Sequence, residues 1–228
     1  MQRVANERMI KRRAQAGKFL TYTGVATLVG GLILSFTRRE PTAADQTMVS
    51  ILAILGMLCW QAGFALTNRW GNSPRRDEVL DKALKGLSKE YTIVHYMLGA
   101  KHVLFGPSGI FVLVPQLSDG EILYENQTWI QIRKGRRGLR RKKLGRIEGD
   151  VEIERRALQK KLARVMPENQ IPTIRGILVF IHPEVKVSAG QDTPESAVYA
   201  KKLKAMIRKL PTLPGLDPLT LDKLLSDQ

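Results

Sequence analysis

The chain has 228 residues, of which 43% are hydrophobic, and a formal net charge of +16. This hydrophobic content excludes a disordered chain and favours one ordinary domain with a short extra module. The single cysteine, Cys59, excludes an intramolecular disulfide and a cysteine-based metal cage. The net charge needs a physical cause, such as a negatively charged partner or surface.

A basic segment over residues 1–18 precedes two uncharged apolar stretches, 19–36 and 48–68. About 20 apolar residues are needed to cross a hydrocarbon core of roughly 30 Å. A cleaved signal peptide is the alternative for the first stretch, but its apolar part is typically only about 7–15 residues long. We therefore expect a retained two-helix transmembrane hairpin over residues 19–68.

Basic residues set the expected orientation of this hairpin. Six precede the first stretch and three closely follow the second, whereas the loop between them has two basic and two acidic residues. Both termini are therefore expected in the cytoplasm, in an inner or plasma membrane of a prokaryotic type. Neither stretch contains Lys, Asp, Glu or His, which argues against a proton relay, an ion pathway or a transporter.

Small residues recur at every fourth position of the two stretches: Thr23, Thr27, Gly31 and Ser35, then Cys59, Gly63 and Thr67. Such stripes allow helix backbones to approach closely in lipid. One interpretation is packing of the two spans on each other. The other is contact with a second copy, or with a membrane-complex partner, through Thr27, Gly31 and Gly63.

The rest of the chain reads as an α/β domain. A polar linker covers residues 69–76, the domain covers 77–185, and a C-terminal helical segment covers 186–228. Periodicity predicts helices over 77–91, 149–166, 195–210 and 219–228, and strands over 92–98, 102–106, 110–114 and 177–182. The strand at 110–114 shows no alternation, which indicates burial on both faces.

The stretch HVLFGPSGIFVL at 102–113 is the most specific pattern of the domain. Together with the acidic start of the preceding helix, the Tyr-x-Ile strand and Trp129, it resembles the nuclease-related domain known as NERD. That family is distantly akin to the restriction-endonuclease-like nucleases. The resemblance covers about residues 77–185 and implies a restriction-endonuclease-like α/β fold.

The resemblance also implies where catalytic residues would lie. The family pattern has an Asp before the strand histidine, and an acid, any residue and a Lys at the end of the second strand. The acids would hold a divalent metal ion, and the lysine would position the attacking water. This chain has Lys101, Val114 and Gln116 at those places. The resemblance therefore implies an inactive member of the family that needs no cofactor.

Other acids keep an alternative open. Asp77 and Glu78 are possible counterparts of the family's helix acid, and Asp119 and Glu121 follow the second strand. As relocated ligands for Mg²⁺ or Mn²⁺ they would make a metal-dependent nuclease, although Asp-Gly is also a common turn pair. The histidines lie in predicted strands without metal-ligand spacing, which favours structural roles: His95, His102 and His182.

Residues 133–146 hold nine basic residues and no acid: Arg133, Lys134, Arg136, Arg137, Arg140, Arg141, Lys142, Lys143 and Arg146. From Arg69 onward the chain has 29 basic and 18 acidic residues, so without this run 20 oppose 18. The basicity is therefore one local patch, and its glycines predict a hairpin tip or loop. Trp129, just ahead of the run, could stack on a base or lie at a membrane interface, although the resemblance favours a scaffold role.

Three interpretations of this patch compete. Beside a cytoplasmic leaflet it would bind anionic lipid headgroups. In a nuclease-like fold it would contact nucleic-acid phosphates. It could also be a solvated loop or bind an acidic protein. We therefore expect a membrane-anchored, inactive, nuclease-related domain that serves as a binding or scaffolding module, with a nuclease or a structural subunit of a membrane complex as alternatives.

Overall fold

The computed structural model describes residues 1–37, 42–135, 138–145, 147–188, 197–212 and 218–226. The chain divides into two compact units, Asn6–Arg75 and a second unit that joins Met1–Ala5 to Arg76–Gln228. We call them the helical unit and the α/β unit. Residues 1–18, expected to form one basic segment, are divided between the two units.

The helical unit consists mainly of α1 (Glu7–Thr37) and α2 (Ala43–Leu66), which a π-helical turn at Thr67–Gly71 extends. Thr42 and Asp45 form a capping box at the start of α2. Both helices are long and apolar enough to cross a membrane. Only 11% of the residues in each apolar window are buried, so these are not core helices of the unit.

Five buried glycines lie along the two helices at seven-residue intervals: Gly17, Gly24 and Gly31 in α1, and Gly56 and Gly63 in α2. A Cβ atom added at Gly24 would lie 2.5 Å from the backbone nitrogen of Trp60 and 2.7 Å from the carbonyl oxygen of Gly56. The helices therefore touch through their backbones, as small residues permit.

The stripe predicted at every fourth residue matches this interface only in part. Gly63 packs against Thr21 and Gly17, and Gly31 packs against Leu52, so both glycines contribute to packing within the hairpin. Thr27 instead donates its hydroxyl hydrogen bond to the carbonyl of Thr23 along α1, at 2.9 Å. The buried glycines of the interface instead follow a seven-residue spacing.

The α/β unit is built on a six-stranded main sheet in the order β1-β2-β3-β4-β8-β10. Its strands are β1 (Gln2–Ala5), β2 (Thr92–Leu98), β3 (Ala100–Gly106), β4 (Gly109–Gln116), β8 (Ile174–Phe180) and β10 (Ala197–Tyr199). β2, β3 and β4 run antiparallel, while β1 is parallel to β2, and β8 is parallel to β4 and β10. The unit is thus a mixed α/β structure, as the sequence predicts.

Helices cover both faces of the main sheet: α3 (Arg76–Leu84), α4 (Ile147–Leu162), α5 (Ala200–Lys209) and α6 (Pro218–Ser226). Leu80 of α3 and Leu203 of α5 pack with Phe111 and Leu113 of β4 on one face. Leu158 of α4 packs on the other face, among the alternate residues of the same strands. β4 is therefore buried on both faces, which confirms the prediction from its unbroken apolar run.

The turn between β3 and β4 explains the Gly-Pro-Ser-Gly pattern. Gly106 pairs with Gly109 across the two-residue turn, and Gly109 has a φ of 111°. A Cβ atom at Gly106 would collide with the Tyr91 ring, whose hydroxyl lies 2.7 Å from the hydroxyl of Ser108. The residues that carry the resemblance therefore have packing roles in the turn.

A second, four-stranded sheet has the order β7-β6-β5-β9. Its strands are β5 (Glu121–Glu125), β6 (Thr128–Gly135), β7 (Gly138–Lys143) and β9 (Lys186–Ser188). β5, β6 and β7 form an antiparallel meander, and β9 is parallel to β5. Ile122 and Trp129 of this sheet join the apolar cluster of α4.

Several predicted elements differ in extent. The helix expected over 77–91 ends at Leu84, and Gly86 follows with a φ of 90°. The helix expected over 195–210 begins at Ala200, because residues 197–199 pair with β8 as β10. The segment 186–228 accordingly contributes a strand to each sheet as well as two helices.

Candidate functional site

The basic run lies on an antiparallel hairpin formed by β6 and β7. Arg133 and Lys134 end β6, and the four consecutive basic residues 140–143 lie on β7, whose residues are all exposed. β7 is the edge strand of the second sheet. Three predicted basic residues lie outside the described residues: Arg136, Arg137 and Arg146. Of the two expectations, a hairpin tip or a loop, the described residues match a hairpin, with its cations on the paired strands.

Only two of the six described cations of this hairpin pair with carboxylates. Arg133 forms an ion pair with Asp119, and Arg141 Nη2 lies 2.8 Å from Glu125 Oε2. Among the described carboxylates, none forms an ion pair with the other four cations: Lys134, Arg140, Lys142 and Lys143. Their charges are therefore available to an external anion.

The register places like charges opposite each other. Arg133 of β6 pairs with Arg140 of β7, and such a pair destabilises an antiparallel ladder. The ion pair of Arg133 with Asp119 offsets part of the repulsion between the two guanidinium groups. Arg140 has no ion pair with a carboxylate among the described residues, so its charge is not offset in this way.

Trp129 is unavailable as a stacking or interfacial residue. It is 1% exposed, and its ring packs 5.3 Å from Phe180 and 4.9 Å from Tyr124 between centroids. Its indole Nε1 donates a hydrogen bond to Glu148 Oε1 at 3.1 Å. Its place in the core agrees with the scaffold role that the resemblance favours, and excludes the alternatives of stacking on a base or lying at a membrane interface.

Lys101, Val114 and Gln116, the positions where the resemblance implies catalytic residues, lie beside α4. The backbone N–H of Lys101 donates to Glu154 Oε2 at 2.7 Å, and its ammonium also pairs with Glu154. Gln116 Nε2 lies 3.5 Å from Asp150 Oδ2, and Val114 is buried. The ammonium of Lys101 thus neutralises Glu154, a buried acid of α4 that the sequence analysis does not single out.

The four candidate acids do not form one cluster. Asp77 and Glu78 belong to α3, which packs on the face of the main sheet opposite α4. Asp119 accepts a hydrogen bond from Gln131 Nε2 at 2.7 Å, and Glu121 accepts one from Ser188 Oγ at 2.8 Å. Within the described part of the chain, no group of three or more His, Cys, Asp or Glu side chains could hold a metal ion.

A buried polar network that the sequence analysis missed crosses the α3 face. His95 Nδ1 of β2 lies 2.8 Å from His102 Nδ1 of β3, and His95 Nε2 lies 3.0 Å from Asp81 Oδ1 of α3. Arg3 of β1 donates to Asp81 Oδ2 at 2.7 Å. The register of β2 and β3 places His95 opposite His102, and no local pattern in the sequence specifies that register.

This network holds four elements together. His95 and His102 are 0% and 1% exposed, so neither imidazole can reach a substrate. Burial alone would raise the pKa of Asp81, but the hydrogen bond and charge of His95, with those of Arg3, outweigh it. The pKa of Asp81 is therefore below its ordinary value, and the carboxylate is held in its charged form.

A second lowered pKa belongs to the surface of α4. Hydrogen bonds from Arg155 and Arg156 lower the pKa of Glu152 to about 2. The Nε atoms of these arginines lie 2.8 and 2.7 Å from its carboxylate, at i+3 and i+4 spacing. These contacts support the helix and build no pocket.

Comparison of the chain with known protein families, with curated proteins and with solved structures gives no match. The geometry of the described residues is therefore the basis for any function.

Proposed function

We propose that this protein is a membrane-anchored binding module whose β6–β7 hairpin binds a polyanion, either anionic lipid headgroups or nucleic acid. The observation that carries the proposal is the exposed edge strand β7, which has four consecutive cations, the first of which, Arg140, pairs with Arg133 of β6. Each Lys or Arg near an anionic surface contributes roughly 1 kcal/mol, and phosphate contacts in nucleic acids use the same charges.

α1 and α2 would serve as the membrane anchor. Met1–Ala5 and Arg76–Gln228 belong to one unit, and β1 pairs with β2 inside it. A chain that leaves this unit and returns to it must cross a bilayer an even number of times, and two crossings by α1 and α2 satisfy this condition. The basic residues before the apolar part of α1 support a cytoplasmic location for the unit: Arg3, Arg8, Lys11, Arg12, Arg13 and Lys18.

The α/β unit would be a nuclease-related domain of the NERD type without catalytic activity. The predicted succession of a helix, three strands, a helix and a strand is present as α3, β2, β3, β4, α4 and β8, separated by the β5–β7 meander. Lys101, Val114 and Gln116 stand where the resemblance implies a metal site. A cation at Lys101 repels a divalent metal ion, so the proposal requires no cofactor.

The test uses the full chain in phosphatidylcholine nanodiscs with two variants of equal charge change. The hairpin variant carries Lys134→Gln, Arg140→Gln, Lys142→Gln and Lys143→Gln. The matched control carries Lys160→Gln, Arg164→Gln, Lys202→Gln and Lys209→Gln, all exposed cations of other elements. Binding of labelled duplex DNA, RNA and phosphatidylserine vesicles is measured at low salt.

We expect the hairpin variant to bind at least one of these polyanions about ten-fold or more weakly than the matched control. Equal binding by the two variants would overturn the proposal. A denaturing gel of the same DNA and RNA, with Mg²⁺ or Mn²⁺ against EDTA, should show intact substrate. Metal-dependent cleavage would establish the nuclease alternative instead.

A further inference from the structure

The second sheet has two chemically different faces. Cross-strand partners share a face, and Ile122, Trp129 and Gln131 point into the core on the inner one. The intervening residues form the outer face, where Ile130 pairs with Leu123 and with Lys143. We call this the outer face of the second sheet.

Apolar side chains and cations alternate on that outer face. Ile132 pairs with Arg141, and Lys134 pairs with Leu139. Leu139 is 74% exposed, while Leu123, Ile130 and Ile132 are half-buried: together they form an apolar stripe across three strands. The described cations beside the stripe are Lys134, Arg141 and Lys143, with Lys186 at the β9 end.

Protection of the edge strand against aggregation does not explain this alternation of apolar side chains and cations. Lysines on an exposed edge discourage aggregation, but an exposed leucine among them has the opposite effect. Two acids also lie on this face, and both have partners: Glu125 pairs with Arg141, and Glu121 accepts a hydrogen bond from Ser188. The charge that remains on the outer face is positive.

We infer that the outer face of the second sheet docks on an anionic lipid surface, with Leu139 inserted at the boundary of headgroups and acyl chains. Lys134 and Lys143 contact lipid phosphates on either side of it. An amphipathic surface binds a bilayer through buried apolar area together with electrostatic attraction, and the outer face offers both. The inference rests on the proposed function and names the partner of the same hairpin.

The apolar stripe favours lipid over nucleic acid. A nucleic-acid phosphate would contact the same cations but leave Leu139 in water. Bases bind single-strand sites by stacking on aromatic side chains, and none of the described exposed residues of this hairpin is aromatic. The proposed membrane anchor also favours lipid, because two helices able to cross a membrane would keep the hairpin at a high effective concentration beside lipid.

The experiment measures hydrogen exchange of the amides of residues 138–143 in the full chain. The chain is reconstituted in nanodiscs of phosphatidylcholine alone, or of phosphatidylcholine with phosphatidylserine. A third sample adds duplex DNA or RNA to the phosphatidylcholine nanodiscs. Leu139→Gln removes the apolar contact and Leu139→Ile retains it. Because residue 139 is exposed, neither change should alter the thermal stability of the chain.

We expect phosphatidylserine to slow exchange of these amides, and high salt to abolish the effect. Leu139→Gln should weaken the protection about ten-fold, because it removes the free energy gained by burying a leucine side chain. Leu139→Ile should retain the protection. Affinity for DNA or RNA should be equal in both variants. Phosphatidylserine-dependent protection that survives Leu139→Gln would overturn the insertion of this residue.

The two proposals fail in distinguishable ways. Protection by DNA or RNA but not by phosphatidylserine would overturn the lipid-docking inference and leave the polyanion-binding function in place. If no polyanion protects residues 138–143, both are overturned.

Discussion

The glycine interface of the helical unit makes a quantitative prediction. The perturbation is Gly24→Ala in α1, and the matched control is Gly30→Ala in the same helix. A Cβ atom at Gly24 would lie 2.5 to 2.9 Å from three backbone atoms of α2, whereas a Cβ atom at Gly30 would have nothing within 4 Å. Both substitutions replace a helical glycine with alanine, so they differ only in the contact.

The magnitude follows from two opposing effects. Replacing Gly with Ala favours a helix by about 1 kcal/mol. At Gly24 the methyl group meets backbone atoms, which cannot rotate away, so α1 and α2 must separate. If the helices separate by roughly 0.5–1 Å, each van der Waals contact between them loses a quarter to a half of its attractive energy. Overpacking of this kind costs about 1–3 kcal/mol of stability. We therefore expect a net loss of ~1–2 kcal/mol for Gly24→Ala and a gain for Gly30→Ala.

The assay is hydrogen exchange of the backbone amides of α1 and α2 in the full chain in nanodiscs. A loss of ~1–2 kcal/mol in local stability accelerates exchange about 5- to 30-fold. Exchange in Gly30→Ala should be unchanged or slower. Equal exchange in both variants, or faster exchange in Gly30→Ala, would refute the inference that the helices touch through their backbones at Gly24.

Two further predictions concern the α/β unit. Gly106→Ala should lower the free energy of unfolding by about 1–3 kcal/mol, because the new methyl group collides with Tyr91. Gly149→Ala has open space at its Cβ and should not lower it. Chemical denaturation of both variants tests this, and equal stability would contradict it. Since the lowered pKa of Asp81 stabilises the fold only while the carboxylate is charged, Asp81→Asn should lower the melting temperature at neutral pH. That difference should shrink as the pH falls below 3.8, and one that persists in acid would count against an electrostatic role for the carboxylate.

The sequence predicts well those elements that have a clear local pattern of apolar and polar residues. The strand expected over 92–98 is β2 with the same bounds, since an apolar run between polar segments leaves few alternatives. The two long apolar helices are also present, because their composition alone determines them. The two-residue hairpin turn at Pro107-Ser108 lies between the strands predicted over 102–106 and 110–114.

Elements that depend on distant partners were missed. β1 has only four residues and pairs with β2 some 90 positions away, so nothing local distinguishes it from a basic tail. The sequence predicts the start of a helix where β10 lies, because the pairing of β10 with β8 is also non-local. β7 differs from these, since it pairs with the neighbouring β6, but its charged residues in place of β-forming ones conceal the strand in the sequence.

The candidate site, too, could be predicted from the sequence only in part. The location of the basic patch follows from composition, but which cations are paired depends on Asp119 and Glu125, whose positions only the fold provides. Asp77 seemed a possible metal ligand from its place in the chain, yet α3 packs on the face of the main sheet opposite α4. Glu154 was overlooked because its contact with Lys101 joins elements 53 residues apart.

The salt dependence of DNA binding by the hairpin variant and its matched control tests the central claim most directly. For each variant in phosphatidylcholine nanodiscs, the logarithm of the affinity for duplex DNA is plotted against the logarithm of the salt concentration. Loss of four phosphate contacts should reduce the slope by about 3 to 4 in the hairpin variant and leave it unchanged in the control. Identical slopes for the two variants, together with equal binding of phosphatidylserine vesicles, would contradict the assignment of polyanion binding to the β6–β7 hairpin.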